Sequence, residues 1–404
     1  MAAMLPLGVL AGLRIIEVSA FVAAPVGGMT LAQLGAEVIR IDPPGGGLDY
    51  RRWPVTADGN SMYWAGLNKG KKSVVIDFRK PEGRDLIREL VVAPGEDSGI
   101  LITNTAPRWL DYASLRSKRT DIIVVTLSGN LDGSIAVDYT VNAAAGFPTI
   151  TGDDGHVVNH VLPAWDLLAG STMAVAVLAA ERRRRQSGEG GLVAMSLADV
   201  AFATLGHLGQ VAEAVVNQVD RRAYGNYVFG TFGKDFVTAD ERRVMVVALT
   251  TRQWSALVAA TGIESSVRKL EQETGRDLRD EGSRFELREP IADLVAPWIS
   301  SRTLTEVAEA FDAHKVLWGP YGTVVDLMAA DRRVDPASNP MWAHVDQPGV
   351  GVFPVPGSTV RFGPSLDLAP RPAPELGADT DDILRQVLGM REDEIATLRS
   401  SGTI

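Results

Sequence analysis

The feature that most limits the fold is a repeated pairing of short, continuously apolar runs with helical segments in the N-terminal third. Leu13 to Val18 (LRIIEV) is rich in β-branched residues and reads as a strand. Pro25 to Leu34 reads as a helix ended by Gly35, and Ala36 to Ile41 (AEVIRI) reads as a second strand. Such a strand–helix–strand unit marks a parallel sheet with crossover helices. The pattern recurs, with strands at Ser73 to Phe78, Gly99 to Thr103 and Asp121 to Leu127. Helices are expected at Pro81 to Val91 and around Ala113 to Ser117. The strands show no polar alternation, as expected where both faces of a sheet are covered. The fold class expected is α/β, with an open Rossmann-like sheet.

Further along, Asp138 to Ala145 reads as a helix start and Thr151 to His156 as a Gly/Asp loop. Asp166 to Arg185 reads as a long helix closed by Ser187 and Gly188. Leu192 to Ser196 reads as a strand, and Leu197 to Val219 as a second long helix. Composition shifts after Asp220. Arg221 to Phe236 is aromatic and Gly-rich, and Val237 to Leu249 reads as a strand pair. Helices near Thr251–Thr261, Glu289–Ser300 and Thr303–His314 follow. Trp318 to Pro320 begins a return, Met341 to Gly363 is short-stranded, and Thr380–Leu388 and Glu392–Ser400 are terminal helices. The division expected is residues 1–220 as the first part of a large domain, 221–325 as a small α+β domain, and 326–404 as the return that completes the large domain.

Whole-chain properties remove several kinds of chemistry. The chain has no cysteine, so disulfides, thiolate metal sites and Cys nucleophiles are excluded together. Forty basic residues against fifty acidic ones leave a net charge of −10, which argues against a nucleic-acid partner. Met1 to Leu13 lacks a basic leader region, and the apolar run Leu167 to Ala180 is too short to span a membrane. That run reads as a buried helix, and the protein as cytoplasmic with no membrane partner. No nucleophile elbow and no His-Glu-x-x-His motif occur. Gly66 to Ser73 misses the spacing of a P-loop, and Gly45-Gly46-Gly47 follows the second strand, so it is not a dinucleotide fingerprint. His156 and His160 stand four apart without an acidic partner, so no metal site is expected.

Asp166 is the awkward residue. It lies where the proline-marked segment Asn159 to Pro163 meets the apolar run. An unpaired carboxylate there would cost several kcal/mol. It is therefore paired, a helix N-cap, or a group used in chemistry, such as a carboxylate nucleophile.

Several ordered segments resemble the family III CoA-transferases, the group that also holds acyl-CoA racemases. They are Leu13-Arg14-Ile15-Ile16-Glu17 with Pro25 and Leu34 to Ile39, Asn68 to Asp77 with Pro81-Glu82-Gly83-Arg84, and Ile102-Thr103-Asn104. Gly188 to Leu197, Glu375-Leu376-Gly377 and Leu388-Gly389 complete the set. The resemblance implies a Rossmann-like large domain built from both chain ends, a smaller middle domain, and two subunits interlocked as a homodimer. It implies an acyl-CoA substrate, with CoA as part of that substrate and no permanently bound cofactor. It places the catalytic aspartate at Asp166, which would carry the acyl group as an anhydride and then CoA as a thioester. The racemases carry a His where this chain has Val137, so two-base proton exchange would lack one base. Asp138 beside it is read as an N-cap.

Within the family, Ser19 to Pro25, Gly28 to Gln33, Gly45 to Tyr50, Arg52 to Val55, Val137 to Asn142 and Asn159 to Asp166 resemble one subgroup. That subgroup moves CoA between the two carboxyls of one dicarboxylic acyl unit. Transfer between an acyl-CoA and a separate acid stays open as an alternative. By family position Lys71 and Asn104 line the CoA cleft, joined by Arg108, Phe21 and Val22. Arg40 and the pair Arg51–Arg52 are candidates for CoA phosphates or the substrate carboxylate. Phe21, Tyr139, Asn142 and His160 are candidates for the acyl pocket. Arg182 to Arg185 read as helix-end charge or a nucleotide contact, and Tyr224 to Phe232 as a linker or a loop over the site.

Overall fold

Six of the apolar runs assemble into one sheet in the computed structural model, which describes residues 8–105, 107–153, 155–362 and 369–404. Residues 1–7, part of the stretch read as lacking a leader, lie outside the described residues. The strands are β1 (Arg14–Val18), β2 (Glu37–Asp42), β3 (Lys72–Val75), β4 (Ile100–Thr103), β5 (Ile123–Ser128) and β6 (Gly191–Ser196). Their order is β3-β2-β1-β4-β5-β6, and every pairing is parallel. Ile15 pairs with Val38 on one side and Ile100 on the other. Consecutive residues such as Ile15 and Ile16 are both at 2% exposure or less, so both faces are covered and no alternation is possible. In a doubly wound sheet of this order, ligands bind beyond the carboxyl ends of the strands where the order reverses. Here that place is the pair β1 and β4.

The C-terminal segment completes this sheet. Ile383 and Leu384 of the helix Thr380–Leu388 pack with Leu86, Ile87 and Leu90 of the helix Pro81–Val92 against Ile39, Ile41 and Val74. Asp379 Oδ2 accepts from Ser73 N at 2.8 Å, and Thr380 Oγ1 accepts from Val75 N at 3.1 Å. Those bonds satisfy the outer edge of β3, which would otherwise be open to another strand.

The chain divides into two compact units. One takes the described residues of Met1–Ala145, Val161–Ala212 and Arg332–Ile404, and the other takes Gly146–His160 and Glu213–Asp331. The segment 146–160, expected in the large domain, therefore belongs with the middle of the chain. The second unit holds an antiparallel sheet of β7 (Phe232–Val237), β8 (Arg243–Ala248) and β9 (Leu317–Pro320). Phe232, Val244, Val246, Trp254, Ile291 and Phe311 form its core. The helices Thr251–Thr261 and Leu304–His314 start at capping boxes, Thr250 with Gln253 and Thr303 with Glu306. Tyr224 and Phe229 of the aromatic loop pack against Phe285 within this unit. A hairpin of β10 (Trp342–Gln347) and β11 (Gly351–Pro356) belongs to the first unit.

Some expectations are corrected. The long helix runs Ala164–Ser187, so it begins two residues before Asp166, and Pro163 stands at its N-cap. Asp166 is therefore not the cap. Nor is the helix buried all round. Met173, Ala174 and Val177 are covered, but Leu168 is 42% and Val175 64% exposed. Its 24 residues are long and apolar enough to cross a membrane by composition, although the apolar run alone is not. The second long helix is interrupted after His207, where Gly209 takes a φ of 75°, and helical turns resume at Gln210–Ala212 and Glu213–Asn217. Helices at Met62–Leu67, Glu264–Thr274 and Glu281–Glu286 were not expected. Of the arginine run, Arg184 is buried and donates to Ser98 O at 2.6 Å, a contact internal to the fold.

Candidate active site

Two glycines bring Asp166 to the switch point of the sheet. A Cβ on Gly170, one turn after Asp166, would lie 2.5 Å from Ala23 O and 2.7 Å from Val26 Cβ. A Cβ on Gly27 would lie 3.0 Å from Gly170 O. Only bare backbones let the helices Ala23–Gln33 and Ala164–Ser187 approach this closely. The approach sets the first turn of the long helix beside the turn that leaves β1.

That turn is held by Asn104 at the end of β4. Its Oδ1 accepts from Ala20 N at 2.9 Å and its Nδ2 donates to Ala20 O at 2.7 Å. The next residue, Phe21, has φ 64°, a left-handed conformation rare for an aromatic residue. Strain of this kind persists where surrounding contacts enforce it, and it clusters at functional sites. Phe21 is 40% exposed, while Val22 beside it is buried. Arg108 follows β4 on the turn Arg108–Leu110 and is exposed.

Asp138 positions the nucleophile candidate. Its carboxylate is 2% exposed, and Oδ2 accepts from Trp165 N at 2.7 Å and from Asp166 N at 3.1 Å. Asp138 therefore caps the long helix from outside instead of its own helix, Asp138–Ala144, and this corrects the N-cap expectation. Its Oδ1 is buried without a hydrogen-bond partner among the described residues. Asn142, also buried, accepts from Trp165 Nε1 at 3.1 Å and so fixes the residue before Asp166.

The Asp166 carboxylate is partly buried, and among the described residues no group donates a hydrogen bond to it. Burial pushes its pKa up to about 6, the negative charge of Asp138 adds to the rise, and Arg52 opposes it. Arg52 lies over two rings, 5.5 Å from the centroid of Phe21 and 5.3 Å from that of Tyr63. Burial raises the Tyr63 pKa, Arg52 opposes the rise, and Asp166, Asp49 and Tyr139 add to it, so its hydroxyl remains a proton donor at neutral pH. Tyr139 is exposed and donates to Val161 O at 3.3 Å. Asp166, Arg52, Phe21, Tyr63 and Tyr139 thus share one neighbourhood. Arg51 lines a separate recess of about 630 Å³ with Tyr50, Trp64 and Gln347 that does not include Asp166.

Arg40 and Lys71, expected along the CoA path, are inside the protein at 1% and 0% side-chain exposure. Lys71 Nζ donates to Glu17 Oε1 at 2.8 Å, Pro25 O at 2.9 Å and Asn68 Oδ1 at 2.8 Å, which uses all three of its protons. Burial lowers its pKa to about 8, against the pull of Glu17. Arg40 forms a fork on Asp42 at 2.9 and 3.0 Å and meets Asp49 at 3.0 Å. Burial alone would lower its pKa, but Asp42, Asp49 and Glu17 together raise it. A direct phosphate contact would require either cation to leave these partners. Their charges instead tie β1, β2 and β3 together beneath the Ser19–Val22 turn. His160 lies in the second unit, and its Nδ1 is buried without a hydrogen-bond partner among the described residues.

Sequence reasoning missed Tyr63 and the long-range cap from Asp138. Ser61, whose Oγ accepts from Trp64 N at 3.0 Å, is the only local signal for the helix that carries Tyr63. Among the described residues, no group of three or more His, Cys, Asp or Glu is set to hold a metal ion. The arrangement offers a poorly solvated carboxylate, ionised above about pH 6 and without a hydrogen-bond donor among the described residues. It suits attack on an acyl carbon.

The model of CoA-transferase family III matches residues 10–380. The chain is 52% identical to the 2-methylfumaryl-CoA isomerase of Chloroflexus aurantiacus, over 98% of each chain. It is 26% identical to the succinyl-CoA–L-malate CoA-transferase alpha subunit of Chloroflexus aurantiacus, over 97% of this chain and 91% of that one. A CAIB/BAIF family protein from Brucella suis has the same fold, with a TM-score of 0.75 at 23% identity, over 94% of this chain and 99% of that one.

Proposed function

The chain belongs to CoA-transferase family III, and from that membership we propose that it converts 2-methylfumaryl-CoA (mesaconyl-C1-CoA) into 3-methylfumaryl-CoA (mesaconyl-C4-CoA). CoA moves between the two carboxyls of one acyl unit, with Asp166 as its carrier. The full-length likeness to the Chloroflexus isomerase carries the reaction. The partly buried carboxylate of Asp166, which accepts no hydrogen bond among the described residues, supports the carrier.

Asp166 attacks the C1 thioester carbonyl, the C–S bond breaks, and CoA leaves as thiolate, which gives a mixed anhydride. The thiolate then attacks the Asp166 acyl carbon. That step breaks the anhydride, frees the dicarboxylate and leaves CoA on the enzyme as a thioester. The C4 carboxylate attacks this thioester, thiolate leaves again, and its attack on C4 restores Asp166. No net proton is gained or lost. An acceptor already in the site removes the need for a second encounter. The aspartyl derivatives stay activated throughout.

CoA approaches over Phe21 and Val22, with Arg108 as the exposed cation for its phosphates. Asn104, Arg40 and Lys71 hold the Ser19–Val22 turn against which it lies. Tyr139 and Arg52 face the acyl unit, Asn142 orients the turn that carries Asp166, and His160 remains a candidate contact for the acyl unit. Two copies of the chain assemble as an interlocked homodimer. The apolar surface left open at Ile135 (96%), Val161 (91%) and Val175 (64%) supports this, because a second copy would cover it. The cysteine-free composition suits a reducing cytoplasm.

The 26% likeness to the succinyl-CoA–L-malate transferase favours, as a second reading, transfer between an acyl-CoA and a separate acid. Incubation of 2-methylfumaryl-CoA with isotopically labelled free 2-methylfumarate separates the two. The ester pool stays unlabelled in the intramolecular reaction, and label in that pool would establish the second reading. Val137, in place of a base, leaves racemisation without support.

A further inference from the structure

Arg52 is a cation held ready but not paired. Its backbone is fixed, because Arg52 N donates to Asp49 O at 3.1 Å and Arg52 O accepts from Ser61 Oγ. Its guanidinium lies over the rings of Phe21 and Tyr63. Among the described residues the guanidinium has no hydrogen bond and no ion pair, and it is exposed. Arg40 by contrast is surrounded by Asp42, Asp49 and Glu17. Arg52 is also the only cation that acts on Asp166 among the described residues. Contacts with the ring faces leave the N–H edges of the planar fork open, and that edge matches a carboxylate in two-point geometry.

We propose that Arg52 anchors whichever carboxylate of the dicarboxylic acyl unit is not bonded at Asp166, and that the unit therefore reverses end for end inside the site between the two halves of the reaction. The inference rests on Asp166 as CoA carrier and on an acceptor from the same molecule. A trans double bond holds the two carboxyls of 2-methylfumarate at opposite ends of a rigid, flat frame. Both cannot stand at Asp166 together. While C1 reacts at Asp166, the C4 carboxylate faces Arg52. After CoA passes to Asp166, the freed C1 carboxylate takes the place at Arg52 and C4 turns to the thioester. The same guanidinium serves both ends in turn and retains the acid between them. It also selects against monocarboxylic acyl-CoAs, which would leave the cation without its anion.

The test uses the full-length protein with Arg52→Gln and Arg52→Lys. Each is given 2-methylfumaryl-CoA together with ¹³C-labelled free 2-methylfumarate, and isomerisation and label in the ester pool are followed by mass spectrometry. Loss of a charge-assisted pair predicts a fall in kcat/KM of about 10- to 100-fold for Arg52→Gln. It also predicts escape of the free acid and incorporation of label. Arg52→Lys keeps the charge but not the fork, so both effects are smaller. A folded Arg52→Gln that isomerises at the wild-type kcat/KM and stays unlabelled overturns the anchor alone. If Arg52→Gln does not fold, wild-type kcat/KM and label exclusion in Arg52→Lys overturn it. Label in the wild-type ester pool overturns the intramolecular reading and this inference with it.

Discussion

Asp166 should make the protein less stable than it would be without it, in a pH-dependent way. Its carboxyl is pushed up to about 6 from an ordinary 3.8, by burial first and Asp138 second. A difference of about two pKa units corresponds to about 3 kcal/mol. Solvent reaching the half-open side chain trims this to about 1–3 kcal/mol. The sign follows from proton binding. The unfolded chain releases this proton near 3.8, but the folded chain holds it up to about 6. As pH rises between those values the unfolded state is favoured, and above the folded pKa the whole penalty applies. Asp166→Asn removes the titration. Urea unfolding at fixed protein concentration should therefore show the variant more stable than wild type by about 1–3 kcal/mol at about pH 8. The gap should shrink to about half of that at about pH 5. The variant should also be inactive. Equal stability at both pH values, or a wild type more stable at pH 8, would refute the claim that Asp166 is held ionised at an energetic cost.

Asp138→Asn keeps an oxygen that can cap Trp165 and Asp166 but removes a charge that raises the Asp166 pKa. The acid limb of kcat/KM should shift to lower pH, and a limb that stays put or moves up would contradict the electrostatic coupling. Gly28→Ala, a change that ordinarily favours a helix, would place a Cβ 1.8 Å from Glu17 Oε2, against the carboxylate that pairs with Lys71. It should cost about 2–4 kcal/mol by denaturant titration, through overpacking and disruption of a buried pair. Unchanged stability would show that the network can relax.

The strands were legible because residues such as Ile15, Ile16, Ile39 and Leu101 are buried on both faces, which leaves continuous apolar runs. The helix Glu264–Thr274 was not, because Val267 is its only buried residue and Leu270 is the only other apolar one in a polar sequence. The two-glycine approach of Gly27 and Gly170 depends on two helices far apart in sequence, so neither glycine signals it alone. Asp166 stood out as a carboxylate beside an apolar run. Its partner Asp138 lies 28 residues upstream and acts through space. For Arg40 and Lys71 the residue type pointed to an anion, but local sequence could not say which. The anions that meet them are Glu17 and Asp42, brought together by the parallel pairing of β1 and β2, and Asp49 from the loop after β2. Arg52 and Arg51 stand side by side in sequence, and the structure separates them by the rings of Phe21 and Tyr63 under Arg52, its action on Asp166, and the separate recess that Arg51 lines.

The central claim is that Asp166 carries CoA as a covalent thioester. Hydroxylamine added during turnover of 2-methylfumaryl-CoA converts an activated carboxyl into a hydroxamate, which peptide mass spectrometry locates. The account predicts a hydroxamate at Asp166, dependent on the acyl-CoA and absent from the other carboxylates, Asp138 included. A hydroxamate at another carboxylate, or turnover that leaves Asp166 unmodified, would contradict it.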